Sequence, residues 1–151
     1  MAKTKVKAKS KLSKVKLKPA VKPKAKAKKT IKSVTTGIPP LVKTVIFGIE
    51  EKKGENIVCL DLRKINNRVC DFFIVCDANS GTQVSAIAYS VKEEMKKKLS
   101  ELPYHAEGFQ NSEWILLDYI TVVVHVFQKE TRYFYNIEGL WADAETIRTK
   151  Y

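Results

Sequence analysis

The chain has 151 residues, 28 of them lysine or arginine and 16 aspartate or glutamate, which gives a formal net charge of +12. The charge is unevenly distributed: residues 1–49 contain 15 lysines and no acidic residue, so the remainder holds 13 basic and all 16 acidic residues. No apolar run approaches the ~20 residues that a membrane span requires. The composition therefore excludes a membrane protein and predicts a cytoplasmic one.

Residues 1–38 are predicted to form a disordered, lysine-rich tail, and residues 39–151 a single folded domain. Closely spaced lysines repel one another, and their small apolar neighbours cannot offset the loss of chain entropy on ordering. Such a tail suits a polyanion such as ribosomal RNA, because each lysine that meets a phosphate releases a condensed counterion. An inert solubilising extension and an organelle-targeting segment are the alternatives.

The first elements of the domain follow from apolar spacing. Pro39 and Pro40 close the tail, and a helix is predicted from Leu41 towards Gly54, because its apolar residues recur on one face. Residues 57–62 and 72–76 are short apolar runs rich in β-branched and aromatic side chains, which favours buried strands.

The clearest helix is predicted from Thr82 to Leu99, with Ser80 as its N-cap, because apolar residues recur there every three or four positions. Strands at residues 114–118 and 121–127 follow, and a terminal helix is predicted for residues 140–148. A strand–helix–strand unit from residue 72 to 118 favours a parallel crossover, while hairpins favour antiparallel pairs. The predicted fold class is α/β: a small mixed sheet flanked by helices.

The residue pattern offers little support for catalysis. No pair of carboxylates one residue apart follows the Ser80-Gly81 turn, as a two-metal nucleotidyl-transfer site would need. No glycine pattern matches a nucleotide-binding loop. Cys59, Cys70 and Cys76 form no metal-ligand cluster and are predicted to be buried, reduced thiols. We therefore predict a protein that is not an enzyme and that has no metal or cofactor.

Polar and aromatic residues concentrate instead at the strand ends near the C-terminus. Trp114 and Asp118 bracket one predicted strand and share a face if both are in strand geometry. His125 lies in the next strand, and Arg132 and Tyr135 follow. Trp, Tyr and Arg are enriched at protein-interface hot spots, so a binding face is favoured over a purely structural aromatic core.

Several sequence blocks resemble the ribosomal silencing factor family, also called RsfS or Iojap. They are Asp71-Phe-Phe-Ile-Val75, Ser80-x-x-Gln83-Val-x-Ala86-Ile87, Glu107-Gly108, Trp114-x-x-x-Asp118-Tyr119, Val123-Val-His-Val-Phe127 and Arg132-x-x-Tyr135-x-x-Glu138-x-Leu140-Trp141. The resemblance implies a nucleotidyltransferase-like fold without catalytic residues. It also implies binding to the fourteenth protein of the large ribosomal subunit, which blocks subunit joining and represses translation.

The resemblance also implies which residues meet that partner. Carried over by position, they are Trp114, Asp118, Tyr119, His125, Arg132, Tyr135, Glu107 and Gln83. The chain departs from the family at Ile120-Thr121, where a Gly-Asp pair is usual, and at Thr82, where arginine is common. A large-subunit assembly factor, a nonspecific nucleic-acid binder that acts through the tail, and a metal-dependent nucleotidyltransferase remain alternatives. A homodimer is a further expectation.

Overall fold

The computed structural model describes residues 37–148. The predicted tail, residues 1–38, lies outside the described residues except for its last two. The elements are, in chain order, helix α1 (Pro40–Glu51), strands β1 (Glu55–Asp61) and β2 (Phe72–Ala78), helix α2 (Gly81–Leu99), strands β3 (His105–Glu107), β4 (Trp114–Asp118) and β5 (Val122–Gln128), helices α3 (Lys129–Tyr135) and α4 (Ile137–Leu140), and strand β6 (Glu145–Arg148).

The predicted α/β class is confirmed by one six-stranded mixed sheet in the order β3-β4-β5-β2-β1-β6. The only parallel neighbours within the described residues are β2 and β5, and the other four pairs are antiparallel. The predicted parallel pairing of residues 72–76 with 114–118 is therefore wrong. A tight hairpin makes β4 and β5 antiparallel, so only one of them can run parallel to β2.

Strand β5 lies inside the sheet, and its side chains are buried on both faces. Val122 to Phe127 are all buried, as expected for a strand covered on both faces, whereas β4 alternates between half-buried and buried residues. Strand β4 lies between β3 and β5, and its alternation places the half-buried side chains on one face of the sheet.

The two long helices begin and pack as their sequences predict. Pro40 occupies the first turn of α1, and the Ser80 side chain accepts a hydrogen bond from the Gln83 backbone N–H at 3.2 Å, which caps α2. The helices pack closely at Gly48, where a Cβ would lie 2.8 Å from the Val91 Cα. Together they cover one face of the sheet, which we call the helix face.

The predicted C-terminal helix over residues 140–148 is wrong, because only its first residue is helical. Residues 137–140 form the short helix α4, but residues 145–148 form β6, which pairs antiparallel with β1. The free edge of β1 provides backbone hydrogen-bond partners, and the buried, β-branched Ile147 packs in the core of the helix face. The three-residue strand β3 was not predicted.

The other face of the sheet, which we call the open face, carries a second apolar cluster. Over β1 and β2 this cluster is completed by Leu62, Cys70, Ile137 and Ala144, so that half of the face is covered. Over β4 the side chains remain half-buried. The open face is therefore accessible at the β3–β4 end of the sheet.

The three cysteines are free and buried, as predicted. Burial raises the pKa of each thiol, because desolvation penalises the thiolate. Thiols of this kind are poor nucleophiles at neutral pH. In the part of the chain that the structure describes, no helix has both the length and the apolar character needed to cross a membrane.

Candidate partner-binding surface

Strand register brings three side chains of β4 onto the open face beside three of β5. Cross-strand neighbours point to the same side of a sheet. The pairs are Trp114 with Phe127, Leu116 with His125, and Asp118 with Val123. On the outer side, β3 places Glu107 beside Leu116.

An aromatic cluster occupies the accessible end of this face. Trp114 stacks on Phe127 with ring centroids 4.9 Å apart and an interplanar angle of 25°. Tyr135, at the end of α3, packs on the indole at 5.0 Å. The indole Nε1–H donates a hydrogen bond of 3.2 Å to His125 Nδ1. We call Trp114, His125, Phe127 and Tyr135 the aromatic cluster.

The surroundings of the cluster resemble the centre and rim of a protein interface. Trp114, Leu116 and Tyr135 are half-buried. Phe134, whose ring contacts Tyr135 at 5.0 Å, is 62% exposed. Glu107 is exposed and Asp118 is half-buried at the edge. An apolar centre with aromatic anchors and a polar rim is typical of a surface that binds another protein.

Backbone geometry keeps this rim in place. Gly108, just after β3, has φ +96°, and a Cβ there would lie 2.0 Å from the Trp114 carbonyl oxygen. Any side chain at this position would push β3 away from β4. The structure therefore explains the glycine at position 108: without a side chain there, β3 can pair with β4 and Glu107 can lie beside Leu116.

His125 is in the cluster but is 4% exposed. Burial lowers the pKa of its imidazole to about 4, because no charge nearby compensates for desolvation. The ring is therefore neutral at physiological pH. Its Nε2 is buried and has no hydrogen-bond partner among the described residues. His125 was predicted to contact a partner, and the structure places it beneath Trp114.

The buried histidine predicts a pH-dependent stability. The unfolded chain takes up a proton near the usual histidine pKa of 6.5, whereas the folded chain resists protonation until about pH 4. Stability should therefore fall as the pH falls through this window, by about 2 kcal/mol between pH 7 and pH 5 from this group. Urea unfolding at both pH values should show the loss in the wild type. A His125→Leu variant should lose less, and an equal loss in both would contradict the prediction.

Arg132 is engaged inside the domain, with its side chain 12% exposed. Its guanidinium donates to Asp77 Oδ2 at 2.8 Å and to the Asn56 carbonyl at 2.8 Å, and it pairs with Glu138. Burial opposes the charge, but the hydrogen bonds and charges of Glu138 and Asp77 outweigh it and raise the pKa of Arg132. The arginine thus ties α3 and α4 to the ends of β1 and β2.

The carboxylates of Asp77 and Glu138 are already paired with the Arg132 guanidinium, which limits their use as ligands for a metal cation. Asp77 lies at the end of β2, and its carboxylate receives Arg132 together with the Asn56 amide at 3.0 Å. The guanidinium supplies the positive charge between the two carboxylates. Over residues 37–148, no three His, Cys, Asp or Glu side chains come together in a group that could hold a metal ion.

Two other predicted residues lie away from the aromatic cluster. Tyr119 is buried in the core of the helix face, because it follows Asp118 on the opposite side of the chain. Gln83 donates to the carbonyls of Lys52 and Lys53 at 3.2 and 3.1 Å. It therefore fastens the turn between α1 and β1 to the start of α2.

The turn between β4 and β5 is strained at its exposed tip. Ile120 has φ +72°, and its N–H donates to Asp118 Oδ1 at 2.7 Å. A β-branched residue is disfavoured in the left-handed region. This is the position where the resembling family usually has glycine.

Ile120→Gly should raise the stability by about 1 kcal/mol, because relief of the strain exceeds the entropy cost of glycine. Ile120 is 63% exposed, so little apolar burial is lost. Val69→Gly is a matched control: Val69 is equally exposed but is absent from the positive-φ positions. Chemical denaturation should show opposite signs for the two variants. A loss of stability in both would mean that the turn carries no strain.

The chain is similar to known proteins. The family described as "Ribosomal silencing factor during starvation" matches residues 35–151. A ribosomal silencing factor RsfS of Halalkalibacterium halodurans is 38% identical over 107 residues, which cover 71% of this chain and 90% of that protein. The RsfS of Bacillus subtilis is 38% identical over 104 residues, covering 69% and 86%. The chloroplastic protein Iojap of Zea mays is 36% identical over 77 residues, covering 50% of this chain and 32% of that protein.

Solved structures agree with the sequence matches. A crystal structure of a Bacillus halodurans protein superposes with a TM-score of 0.63 at 35% identity, covering 72% of this chain and 97% of that one. A Chromobacterium violaceum protein gives 0.64 at 32% identity, covering 74% and 88%.

The fold and the surface together define a small mixed α/β domain with a half-open aromatic face. The chain belongs to the ribosomal silencing factor family, which confirms the predicted resemblance. By its description, the family acts in ribosomal silencing during starvation.

Proposed function

We propose that the open face docks on the large ribosomal subunit, at its fourteenth protein, and thereby blocks the joining of the small subunit. The observation that carries the proposal is the aromatic cluster: the cover over β1 and β2 stops short of it, so Trp114 and Tyr135 remain half-buried. A docked partner would complete that cover and remove Trp114, Leu116 and Phe134 from water. In the proposal the protein is not an enzyme and acts in the cytoplasm.

Charge gives the proposed contact its orientation. Glu107 and Glu113 are exposed, and Asp118 is half-buried beside Leu116 on the open face. Acidic groups around an apolar centre favour a basic partner surface, because complementary charges speed encounter and fix the register. In this proposal Trp114, Leu116, Asp118 and Tyr135 contact the partner directly. Arg132 holds α3, which carries Tyr135, while Tyr119 and Gln83 stabilise the fold away from this surface.

The lysine-rich N-terminal segment is proposed to add nonspecific attraction to ribosomal RNA. Residues 1–36 contain 14 lysines and no acidic residue. Each lysine that meets a phosphate should steepen the salt dependence of binding, with a log–log slope of about −0.7 to −0.9 per contact. Removal of residues 1–36 should therefore weaken binding at low salt and flatten its salt dependence, while docking through the open face persists.

Co-sedimentation with isolated subunits tests the docking proposal. The wild type should travel with large subunits and not with small ones. Phe134→Asp should lower that affinity by about 30-fold, because it places a charge beside the aromatic cluster, where the docked partner would cover it. Tyr89→Asp is a matched control: Tyr89 is 56% exposed on α2 and packs on one aromatic ring, Phe109. It should bind like the wild type.

Two results would overturn the proposal. Equal binding of both variants would show that the open face is not the contact. Complete loss of wild-type binding at moderate salt would show attachment through the tail alone. Analytical ultracentrifugation of each sample should accompany the assay, because pairing of two copies through the open face would compete with docking.

A further inference from the structure

The hydrogen bond between Trp114 and His125 joins two layers of the proposed docking surface. The indole of Trp114 is half-buried and accessible, whereas the imidazole of His125 is buried beneath it. The two residues are not direct cross-strand neighbours, because Trp114 pairs with Phe127 and His125 with Leu116. The indole therefore extends along the sheet to reach the imidazole.

The geometry determines which nitrogen of His125 carries the proton. An indole N–H can only donate, so His125 Nδ1 must accept, and the proton of the neutral ring lies on Nε2. The contact is 3.2 Å long. The lowered pKa of His125 agrees with a neutral ring in this environment. Protonation of Nδ1 would abolish the acceptor and with it the hydrogen bond.

The imidazole is itself held by the core and cannot rotate to follow the indole. Phe73 meets it edge-on at 4.8 Å and 78°, and Phe127 lies nearly parallel to it at 6.2 Å and 13°. The stacking of Trp114 on Phe127 and Tyr135 sets the plane of the indole, but it constrains rotation within that plane less than a hydrogen bond does. The hydrogen bond is thus the directional contact that fixes the angle of the indole.

We propose that His125 is a positioning residue: as a neutral Nε2–H imidazole it fixes the Trp114 indole in the orientation that the ribosomal partner meets, and it does not touch that partner. The part of this inference that concerns docking rests on the proposed function. The part that concerns the orientation of the indole does not.

The first arm of the test is ¹H–¹⁵N NMR of the indole N–H groups of Trp114 and Trp141, assigned with a Trp141→Phe variant. His125→Leu removes the acceptor and replaces the imidazole with an apolar side chain of similar size. It should shift the Trp114 indole resonance upfield and speed its hydrogen exchange about tenfold. His125→Asn retains an acceptor near the Nδ1 position. Its Trp114 indole resonance and exchange rate should therefore stay close to those of the wild type. The Trp141 resonance should change little in either variant.

The second arm is a double-mutant cycle on large-subunit affinity. His125→Leu should weaken binding of the full chain about tenfold, and His125→Asn should recover most of it. In a Trp114→Phe background, which lacks the donor, His125→Leu should have almost no further effect. A general destabilisation would instead weaken binding equally in both backgrounds, so the cycle separates positioning from a merely structural role.

The outcomes separate this inference from the proposed function. If the wild type binds and His125→Leu disturbs the indole without changing affinity, the positioning inference fails and the proposed function stands. An unchanged indole resonance in His125→Leu also overturns the inference. If the wild type does not bind large subunits, the proposed function fails, and with it the docking role of His125. Should His125→Leu not fold, His125→Phe, which also lacks an acceptor but keeps an aromatic ring, takes its place in both arms.

Discussion

Trp114→Ala is expected to lower the affinity for the large ribosomal subunit by about 30-fold or more. Tryptophan at the centre of an interface commonly contributes 2 kcal/mol or more on truncation, and 1.4 kcal/mol corresponds to about a factor of ten. In this protein the indole packs on Phe127 and Tyr135 and donates a hydrogen bond to His125. Its removal would leave a pit in the surface. Sedimentation of labelled protein with large subunits, at several concentrations, measures the loss.

Trp141→Ala separates the loss of a contact from a loss of stability. Trp141 is also half-buried on the open face, where it meets Phe73 edge-on at 5.6 Å. It lies away from the aromatic cluster. Its truncation should lower the free energy of unfolding by about 3 kcal/mol, as Trp114→Ala should, but should have little effect on binding. If both variants lose affinity in proportion to their loss of stability, Trp114 is structural and the docking surface lies elsewhere.

Arg132→Met is expected to destabilise the fold by about 3 to 5 kcal/mol, because it leaves Asp77 and Glu138 without their common cation. Asp77 is 4% exposed, so its charge would remain buried with only the Asn56 amide to support it. Arg68→Met provides the control, since its pair with Asp71 is solvent-accessible and should contribute less than about 1 kcal/mol. Urea unfolding at pH 7 compares the two.

A second substitution sharpens this prediction. Adding Asp77→Leu to Arg132→Met removes the stranded buried charge and should recover part of the lost stability. If Arg132→Met instead unfolds like the wild type and only ribosome binding is lost, Arg132 is a partner contact, as its position in the family motif first suggested.

Much of the fold was readable from local patterns, and the rest depended on distant partners. The helical spacing after Ser80 and the uninterrupted apolar run of β5 predicted α2 and the central strand. The parallel partner of β2 was mispredicted, since either β4 or β5 could close the crossover. The difference in burial pattern between WILLD and VVVHVF was the available signal. Strand β6 could not be predicted, because its extended conformation depends on pairing with β1, which is distant in the sequence.

The candidate surface was predictable where strand alternation decides it. A period of two places Trp114, Leu116 and Asp118 on one face, and it places Tyr119 on the other. The same rule would have added Leu116, which the motif blocks omitted. It could not reveal that Arg132 is engaged by Asp77, which is 55 positions earlier in the chain. Only the three-dimensional packing shows which polar residues of the motif blocks face inwards.

In the proposed function, this domain occupies the joining surface of the large subunit. The most direct measurement is a subunit-joining assay: large subunits are preincubated with the protein, small subunits are added, and light scattering or sucrose-gradient sedimentation follows the formation of joined ribosomes. The wild type should suppress joining in proportion to its occupancy, Tyr89→Asp should match it, and Phe134→Asp should not suppress joining. If the wild type saturates large subunits while joining proceeds at its normal rate and extent, the claim is contradicted.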